Sequence, residues 1–428
     1  MNVRSLYTIA LRLAVPFAIL RLWWRGRREP GYRRHVAERF GRYALPATRQ
    51  AIWVHAVSVG EARAAAPLVQ ALAREFPGRP ILVTCMTSAG RETLAQVYGE
   101  SALTTYLPYD LPGAVRRFLD HFQPSLGVLM ETELWPNLLA ACRIRGIPVL
   151  LANARMSEKS ARGYARWQRL TRPAFHCLAA VCAQSEADAD RLIALGASDV
   201  TVTGSLKFDV EPEPALLAAG KAFRESLGVR AVLLLASTRE AEESLLLEQL
   251  PQGFGALVMI VPRHPARFDE VARLLQVRGM RVARRSLGET PVASHDAYLG
   301  DTLGEMPFYY AACDVAVIGG SFMPLGGQNL IEACAAGAPV VLGPSVFNFA
   351  EATQRALEAG AAVQVADAVE AMRAACALLA DAERCARMGE AGRRLVSAHR
   401  GATQRHMAVA RRLVARDSRV LPTPRAPG

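Results

Sequence analysis

The sequence lacks the signatures of a disulfide-bonded, zinc-binding or repetitive protein. It contains 8 cysteines but no Cys-x-x-Cys pair, and most of them lie in apolar runs. Buried thiols of a reducing, cytoplasmic compartment are therefore favoured over disulfides or a zinc site. No sequence repeat or low-complexity tract is present. Of the 428 residues, 51% are apolar and 21% are charged, which predicts a globular chain long enough for two domains.

Basic charge is distributed unevenly along the chain. The formal net charge of +12 comes almost entirely from arginine. The densest basic block contains Arg25, Arg27, Arg28, Arg33, Arg34, Arg39 and Arg42. A basic block of this kind can bind nucleic acid, but no recognisable nucleic-acid-binding motif accompanies it. We therefore expect no nucleic-acid partner.

The segment before the basic block, residues 6–24, is apolar with helical spacing. It ends in a Trp-Trp pair and is followed at once by the arginines. We therefore predict that residues 1–24 form a membrane-anchor helix, with the basic block against anionic lipid of the cytoplasmic leaflet. Arg12, Pro16 and Arg21 interrupt the apolar run, which favours a monotopic or short kinked helix over an ideal span.

Two other interpretations of this segment stay open at this point. A cleaved signal peptide is disfavoured, because no clear small-x-small cleavage site follows the apolar run. A buried amphipathic helix that covers the core is the stronger alternative, because Arg12 and Arg21 are costly in lipid.

From about residue 51 onward, short β-rich runs alternate with helical segments. The first series of runs reads AIWVHAV, PILVTCM, LGVLM, PVLLAN, AAVCA and DVTVTG. Residues 208–214 (FDVEPEP) break this rhythm, and a second series follows with AVLLLAS, ALVMIVP, VAVIGG and PVVLGP. This pattern predicts an α/β fold with two doubly wound, Rossmann-like domains that face a cleft. We place the domains at 25–210 and 215–400, with a helix at about 400–420 packing back onto the first.

Residues 314–332 (DVAVIGGSFMPLGGQNLIE) are the clearest candidate for a nucleotide pocket. An apolar strand leads into glycines and then into a helix, so that backbone N–H groups can converge on an anion. Gly326 and Gly327 allow close approach of a phosphate, and Asn329 and Glu332 can face the same ligand. The alternative is a tight turn in which Asn329 is an ordinary helix cap.

Four acidic or basic residues of the first half follow predicted strands. Glu61 comes just after Gly60 at the start of a helix, where it suits a general base but equally complements the helix dipole. Glu131 and Glu133 follow the fourth strand, and Lys207 lies near the linker. Glu131 and Lys207 are also compatible with a plain salt bridge.

The second half offers a similar set of strand-end residues. Arg263 and His264 follow a strand, where the guanidinium can clamp a phosphate or form an ion pair. Gly304 and Glu305 lie in a glycine turn before a helix. Ser237 and Glu240 have the spacing of a capping box.

Together these motifs resemble those of the 3-deoxy-D-manno-oct-2-ulosonic acid (Kdo) transferases, which are glycosyltransferases with the two-domain B-type fold. The segments that carry the resemblance occur in the family's order: HAVSVGE, METELWPN, LKFD, PRHP, LGDTLGE, GGSFMPLGGQNLIE and GPSVFNF. The resemblance covers nearly the whole chain. It implies transfer of Kdo from CMP-Kdo to a lipid A precursor at the cytoplasmic face of a Gram-negative inner membrane.

The resemblance also implies roles for individual residues. Glu61 matches the family's proton acceptor, and Glu131 and Lys207 match positions assigned to transition-state stabilisation. The CMP-binding segments match Pro262, Arg263, Gly304, Glu305, Met306, Asn329, Leu330, Ile331 and Glu332. Three positions depart from the family pattern: Gln328 replaces a His, and Arg239 and Ala241 stand where His and Gly are more usual.

We expect neither a catalytic metal nor a cofactor. The leaving group CMP is a monophosphate that fixed charges and dipoles can neutralise. The acidic-x-acidic pairs Glu131/Glu133 and Asp188/Asp190 lie in the acceptor half, away from the predicted nucleotide. Two rival functions remain: a nucleotide-sugar epimerase of the same fold, and a non-catalytic, membrane-docked nucleotide-sugar binding protein.

Overall fold

The computed structural model describes residues 2–27 and 29–418. Arg28 of the predicted basic block, Met1 of the predicted anchor and residues 419–420 of the predicted C-terminal helix lie outside the described residues. The chain divides into two compact units. One comprises the described residues up to Asp209 together with those from Gly401 onward, and the other comprises Val210–Arg400.

In the described part of the chain, each unit contains seven strands. The strands of the first unit are β1 Ala51–His55, β2 Ile81–Cys85, β3 Leu103–Tyr106, β4 Pro124–Met130, β5 Val149–Ala154, β6 Ala180–Ala183 and β7 Val200–Val202. Those of the second are β8 Val232–Thr238, β9 Leu257–Pro262, β10 Val282–Arg284, β11 Ala297–Leu299, β12 Val315–Ile318, β13 Val340–Leu342 and β14 Ala362–Gln364.

Helices connect the strands. In the first unit they are α1 Val3–Arg25, α2 Val59–Ala64, α3 Ala66–Glu75, α4 Ser88–Tyr98, α5 Pro112–Phe122, α6 Pro136–Ile144, α7 Glu158–Arg166, α8 Gln168–Phe175 and α9 Glu186–Ala194. The second unit contains α10 Pro214–Ser226, α11 Glu242–Leu247, α12 Phe268–Val277, α13 Met306–Ala311, α14 Leu330–Ala336, α15 Ala350–Glu358, α16 Ala368–Leu379 and α17 Ala382–His399. The last helix, α18 Ala402–Ser418, belongs to the first unit.

Both sheets are parallel and doubly wound. The first has the strand order β3-β2-β1-β4-β5-β6-β7, and the second has the order β10-β11-β9-β8-β12-β13-β14. In the first sheet the chain runs outward from β1 to β3 and then returns to continue at β4 on the other side. In the second sheet β10 lies at the edge and β11 inserts between β10 and β9, before the chain continues at β12 on the other side of β8. The resulting switch points lie between β1 and β4 and between β8 and β12. The predicted α/β class with two Rossmann-like domains is confirmed.

The cores explain why these segments become parallel strands. Every residue of β1, β2, β4 and β5 is buried, as expected for strands that are covered by helices on both faces. Trp53 of β1 is fully buried, and its indole N–H donates to Thr84 Oγ1 at 2.7 Å. The second sheet has an equivalent core formed by β8, β9 and β12 against the surrounding helices.

The N-terminal helix α1 is exposed along most of its length. Only Leu22 is buried, whereas Leu13 and Phe17 keep 70% and 74% of their surface exposed. The 23-residue helix has a mean hydropathy of 1.5 over its most apolar window and meets the length and composition of a membrane span. Because the first unit leaves its apolar side chains uncovered, the alternative of a buried helix over the core is wrong.

Polar contacts attach the start of α1 to the first unit. Tyr7 Oη donates to Asp110 Oδ2 at 3.0 Å, and Asn137 Nδ2 donates to Thr8 Oγ1 at 3.0 Å. Both carboxylate oxygens of Asp110 also accept backbone N–H groups at the start of α6, from Asn137 and Leu138. Helix α1 is therefore fixed to α6, the helix that follows the Glu131–Glu133 loop.

Candidate active site

The switch point of the first sheet collects the acidic residues predicted from the sequence. Glu61 lies in the first turn of α2, which follows β1, and Glu131 directly follows β4. Neighbouring strands β1 and β4 end at the same edge of the sheet, and in doubly wound folds the crevice at this place is where ligands bind. Lys207 lies in a short 3-10 turn, Leu206–Phe208, after β7.

Glu61 serves as part of the cap of α2. Ser58 is the N-cap residue, and its Oγ accepts the Glu61 N–H at 3.3 Å. In return, Glu61 Oε1 accepts from Ser58 Oγ at 2.9 Å, and Glu61 Oε2 accepts the Val57 N–H at 2.9 Å. This arrangement resembles a capping box, except that the returning bond comes from the Val57 N–H and not from that of the N-cap Ser58. The helix-start interpretation of Glu61 therefore describes its contacts correctly. It does not exclude proton transfer, because each carboxylate oxygen retains a further lone pair.

Burial raises the pKa of Glu61 above that of an ordinary glutamate, and the negative charge of Glu131 raises it further. The hydrogen bonds from Val57 and Ser58 and the positive charge of Lys207 act in the opposite direction. A carboxylate with a raised pKa is a stronger base once it is deprotonated, which suits abstraction of a hydroxyl proton.

Glu131 and Lys207 are brought together although 76 positions separate them in the sequence. Lys207 Nζ lies 3.8 Å from Glu131 Oε1, and both side chains are partly exposed. The backbone of Glu131 is left-handed, with φ 59°. Such strain in a non-glycine residue is concentrated at functional sites, where the surrounding structure holds it in place.

Glu133 is a further acidic group of the same loop. Burial raises its pKa to about 7, and the charges of Glu61 and Glu131 add to that effect. Three carboxyl groups therefore influence one another at this edge of the first sheet, with Lys207 as their nearby cation. Within the described residues, no group of three or more His, Cys, Asp or Glu side chains has the arrangement of a metal site.

A cationic surface borders this loop, which sequence reasoning did not single out. Tyr164 of α7 donates from its Oη to the Thr132 carbonyl at 3.1 Å, so α7 lies directly beside the acidic loop. None of the residues of α7 is buried. The exposed cations of α7, here called the α7 basic face, are Lys159, Arg162 and Arg166. Their helical spacing is visible in the sequence, but their position beside Glu131 is not.

In the second unit, a buried glutamate organises the glycine turn after β12. Glu242 is fully buried, and its Oε2 accepts the N–H groups of Gly320 at 2.6 Å and Arg239 at 2.9 Å. Its Oε1 accepts the Phe322 N–H at 3.0 Å. Sequence reasoning missed this role, because a Glu in a run of acidic residues looks like a solvated helix start.

The glycine turn differs from the predicted anion cradle. Gly326 and Gly327 have φ values of 84° and 75°. This conformation directs the Gly326 N–H to Ser345 Oγ at 2.9 Å and the Gly327 N–H to the Gly320 carbonyl at 2.8 Å. Gln328 likewise donates its N–H to the Gly319 carbonyl. The prediction is therefore wrong for the N–H groups of Gly326, Gly327 and Gln328, because protein oxygens already accept from them.

The helix that follows the turn begins at a true cap. Asn329 is the N-cap of α14, and its Oδ1 accepts the Ile331 N–H at 3.0 Å. Its Nδ2 donates to Glu332 Oε1 at 2.8 Å, while Leu330 and Ile331 are buried. Asn329 thus caps the helix, as the alternative interpretation of the sequence predicts. The side chains of Asn329 and Glu332 are hydrogen-bonded to each other and form one polar group.

The other predicted donor residues lie at the carboxyl ends of neighbouring strands. Pro262 ends β9 and pairs with Thr238 of β8, and Arg263 donates its N–H to the Thr238 carbonyl at 2.9 Å. Met306 begins α13, and its Sδ accepts from Ser237 Oγ at 3.8 Å. These residues come together in the second unit at its β8–β12 switch point.

Gly304 and Glu305 occupy the turn before α13. Gly304 has φ 83°, which explains the glycine at this position. The Glu305 carboxylate accepts two hydrogen bonds from Arg285, at 2.7 and 3.1 Å. These bonds restrict the conformation of the Glu305 side chain. This ion pair lowers the pKa of Glu305.

The predicted capping box of Ser237 and Glu240 is wrong. Ser237 lies within β8, with a left-handed φ of 54°, and α11 begins only at Glu242. The residue before α11 is Ala241, which has φ 70° and no capping side chain. The backbone of this turn is held by Glu242 instead, which removes the need for a serine cap.

Comparison with known proteins gives a consistent result. A family profile described as 3-deoxy-D-manno-octulosonic-acid transferase (kdotransferase) matches residues 34–210. The chain is 48% identical to the 3-deoxy-D-manno-octulosonic acid transferase of Bordetella pertussis, over 94% of this chain and 97% of that protein. It is 36% identical to the enzyme of the same name from Haemophilus influenzae, over 94% of this chain and 96% of that protein.

Solved structures support the fold. The crystal structure of MurG from Acinetobacter baumannii matches 85% of this chain and 99% of its own length, with a TM-score of 0.55 and 14% sequence identity. At this level of identity, the likeness concerns the two-domain architecture alone.

Proposed function

We propose a specific reaction and a specific general base for this chain, which belongs to the family of 3-deoxy-D-manno-octulosonic acid (Kdo) transferases. The chain is a Kdo transferase, a glycosyltransferase of lipopolysaccharide biosynthesis. In our proposal it moves Kdo from CMP-Kdo to a lipid A precursor, with inversion at the anomeric carbon and with Glu61 as general base. The strongest support is the grouping of Glu61, Glu131 and Lys207 in the first unit.

Glu61 accepts the proton of the attacking acceptor hydroxyl in this mechanism. An inverting transfer needs such a base as the anomeric carbon gains oxocarbenium character. Burial and the charge of Glu131 raise the pKa of Glu61, which increases its basicity. Lys207, 3.8 Å from Glu131, supplies the positive charge of the pair. We assign Glu131 and Lys207 to stabilisation of the charge that develops in the transition state.

The second unit is proposed to bind CMP-Kdo. Arg263 supplies a guanidinium beside Pro262 at the end of β9, where it suits a phosphate. The remaining donor-binding positions are proposed to be Gly304, Glu305, Met306, Asn329, Leu330, Ile331 and Glu332. Because the glycine N–H groups donate to protein oxygens, side-chain charge rather than a backbone cradle carries phosphate recognition in this proposal. The proposal requires neither a metal nor a cofactor.

The acceptor is proposed to approach from the membrane side of the first unit. The α7 basic face lies beside the acidic loop and offers cations to the phosphate groups of a lipid A precursor. The exposed apolar stripe of α1 is proposed to enter the inner membrane at its cytoplasmic face, with the exposed arginines of the basic block near anionic lipid. These are Arg25, Arg27, Arg33, Arg34 and Arg42. The inclusion of Arg39 in the lipid-facing block is wrong, because Arg39 is buried and donates to the Met86 carbonyl at 3.0 Å. These two surfaces belong to the same unit as Glu61.

Mass spectrometry of the lipid tests the proposed reaction. The protein is incubated with CMP-Kdo and a lipid A precursor, and the lipid is expected to gain the mass of Kdo. CMP release without the acceptor should stay at background, whereas an epimerase acts on its nucleotide sugar alone and a binding protein releases no CMP. An unmodified lipid, with active donor and acceptor verified by a known transferase, would refute the proposal.

Nuclear magnetic resonance of the product tests the stereochemistry. We expect the anomeric configuration of the transferred Kdo to be opposite to that in CMP-Kdo. Retention would exclude direct attack assisted by a single base and would require a covalent or otherwise two-step route.

A further inference from the structure

An asparagine in β5 has a backbone conformation that is unusual for a strand. Asn153 is fully buried and has a left-handed φ of 52°. The pairing of β5 with β6 is irregular here, with a register shift between Leu151 and Ala154. Asparagine tolerates this conformation better than most residues. The shift frees the Asn153 N–H from the strand ladder, and the N–H donates instead to His406 Nε2 at 2.9 Å.

His406 reaches Asn153 from α18, 253 positions away in the sequence. Its Nδ1 lies 2.7 Å from the Ala402 carbonyl, which can only accept, so Nδ1 carries the proton. Nε2 is therefore an unprotonated acceptor for the Asn153 N–H. Burial lowers the pKa of His406 to about 4, so the imidazole is neutral near pH 7 and this acceptor persists.

The side chain of Asn153 connects to the segment that carries Lys207. Asn153 Oδ1 accepts the Leu206 N–H at 3.0 Å. Leu206 and Phe208 are both buried, which fixes the turn on either side of Lys207. Ser205 Oγ additionally accepts the Lys207 N–H at 3.4 Å. The backbone of Lys207 is thereby held while its side chain extends to Glu131.

A ring of hydrogen bonds is closed through the start of α18. The Asp209 N–H donates to the Leu206 carbonyl at 3.2 Å, and Asp209 Oδ1 accepts the Ala402 N–H at 3.3 Å. The Ala402 carbonyl accepts from His406 Nδ1, and His406 Nε2 accepts the Asn153 N–H. Asn153 Oδ1 accepts the Leu206 N–H, which closes the ring. Each member is buried or partly buried, so the ring is protected from competing water.

We propose that Asn153 and His406 are positioning residues for Lys207. The ring ties the turn around Lys207 to β5 and to α18, and it keeps Lys207 Nζ within reach of Glu131. This inference rests on the proposed role of Lys207 in transfer. Helix α18 thereby contributes to the site of the first unit, through His406 Nε2 and Asn153 Oδ1.

A double-mutant cycle tests this inference. Asn153→Gly keeps the left-handed backbone and the N–H to His406, but it deletes the oxygen that accepts from Leu206. Single-turnover transfer from CMP-Kdo is measured for the parent, Asn153→Gly, Lys207→Ala and the double variant, together with CMP affinity and a thermal melt. The matched control is Gln123→Gly, at an exposed position of the same unit with φ 39°.

We expect Asn153→Gly to slow transfer on the order of tenfold, with CMP affinity within twofold of the parent and the control unchanged. In the Lys207→Ala background the same substitution should have no further effect. His406→Phe, which removes the acceptor for the Asn153 N–H, should slow transfer in the same direction.

Three results would overturn the inference. Parent-like transfer by Asn153→Gly would show that the amide oxygen does not position Lys207. An equal slowing in both backgrounds would show that Asn153 acts independently of Lys207. Parent-like transfer by Lys207→Ala would remove the role of Lys207 and this inference with it. Absence of transfer by the parent protein would instead refute the proposed function, and this is measured first.

Discussion

Glu61 has two tasks at one position, because the carboxylate that is proposed to take the acceptor proton also caps α2. Its contacts with Ser58 and Val57 orient the group, while burial and Glu131 raise its pKa. Orientation by neighbouring hydrogen bonds is what a general base requires, since proton transfer depends on geometry first and on pKa second. The two tasks are therefore compatible at the level of one residue.

The pH dependence of transfer should report the influence of Glu131 on Glu61. A general base acts when it is deprotonated, so the rate should rise with pH as Glu61 loses its proton. Glu131→Gln removes a negative charge that raises the pKa of Glu61. We therefore expect the acid limb of the single-turnover pH–rate profile to move to lower pH, even though the maximal rate falls.

Glu158→Gln is the matched control for this profile, because Glu158 is an exposed carboxylate of the same unit. It should leave the acid limb in place. An acid limb that does not move in Glu131→Gln, or that moves to higher pH, would show that Glu131 does not raise the pKa of the base.

Arg263 should dominate recognition of the donor phosphate. Arg263→Ala is expected to weaken CMP binding by about 1.5–3 kcal/mol, because a charge-assisted hydrogen bond to the phosphate is lost. Calorimetry with CMP measures this directly. Arg281→Ala, which alters an exposed arginine of the same unit, serves as the control. Affinity within twofold of the parent would remove Arg263 from the donor site.

Substitution of Ala241 tests whether the backbone of the turn before α11 is strained. Ala241 has a φ of 70°, which is strained for a residue with a Cβ. Ala241→Gly should relieve this strain and stabilise the second unit by about 1 kcal/mol, which corresponds to a melting temperature about 2–4 °C higher. A lower melting temperature would show that the left-handed conformation carries no strain that glycine relieves.

At the scale of elements, substitutions in α1 should change the proposed membrane binding without changing the fold. Leu13 and Phe17 are 70% and 74% exposed, so Leu13→Glu and Phe17→Glu should leave the fold intact. Both changes place a charge in the apolar stripe, which should markedly reduce partitioning into liposomes that contain anionic lipid. Flotation of the protein with liposomes is the measurement.

Val277→Glu is the control for this comparison, because Val277 is 86% exposed but lies in the second unit on α12. It should float with the liposomes like the parent. Equal flotation of the Leu13→Glu and Phe17→Glu proteins would contradict the proposal that α1 enters the membrane.

The elements also show what local sequence can predict. Fully buried parallel strands such as β1 and β4 read as continuous apolar runs, so their existence and the α/β class were predictable. The turn of Ser237 to Glu240 was mispredicted, because a capping pattern is short-range and does not show that Ser237 continues the strand. The direction of the N–H groups in the glycine turn was also mispredicted. The Gly319 and Gly320 carbonyls accept within the turn itself, and Ser345 Oγ accepts from a later segment, which the local pattern does not show.

At the scale of the whole molecule, the site depends on residues that sequence spacing cannot connect. Glu61, Glu131 and Lys207 were recognised individually, but their mutual distances follow from the strand order. The hydrogen bond between Asn153 and His406 spans 253 positions and carries no local signal. The α7 basic face was visible as a run of cations, yet only the contact between Tyr164 and Thr132 places it beside the acidic loop.

The single-turnover rate of Glu61→Gln is the most direct test of Kdo transfer with Glu61 as base. Glutamine at this position retains an acceptor for the cap of α2 but has no carboxylate to take a proton. At saturating CMP-Kdo and lipid A precursor, transfer should fall roughly a hundredfold or more, with CMP affinity and melting temperature close to those of the parent. Transfer at a near-parental rate would contradict the account.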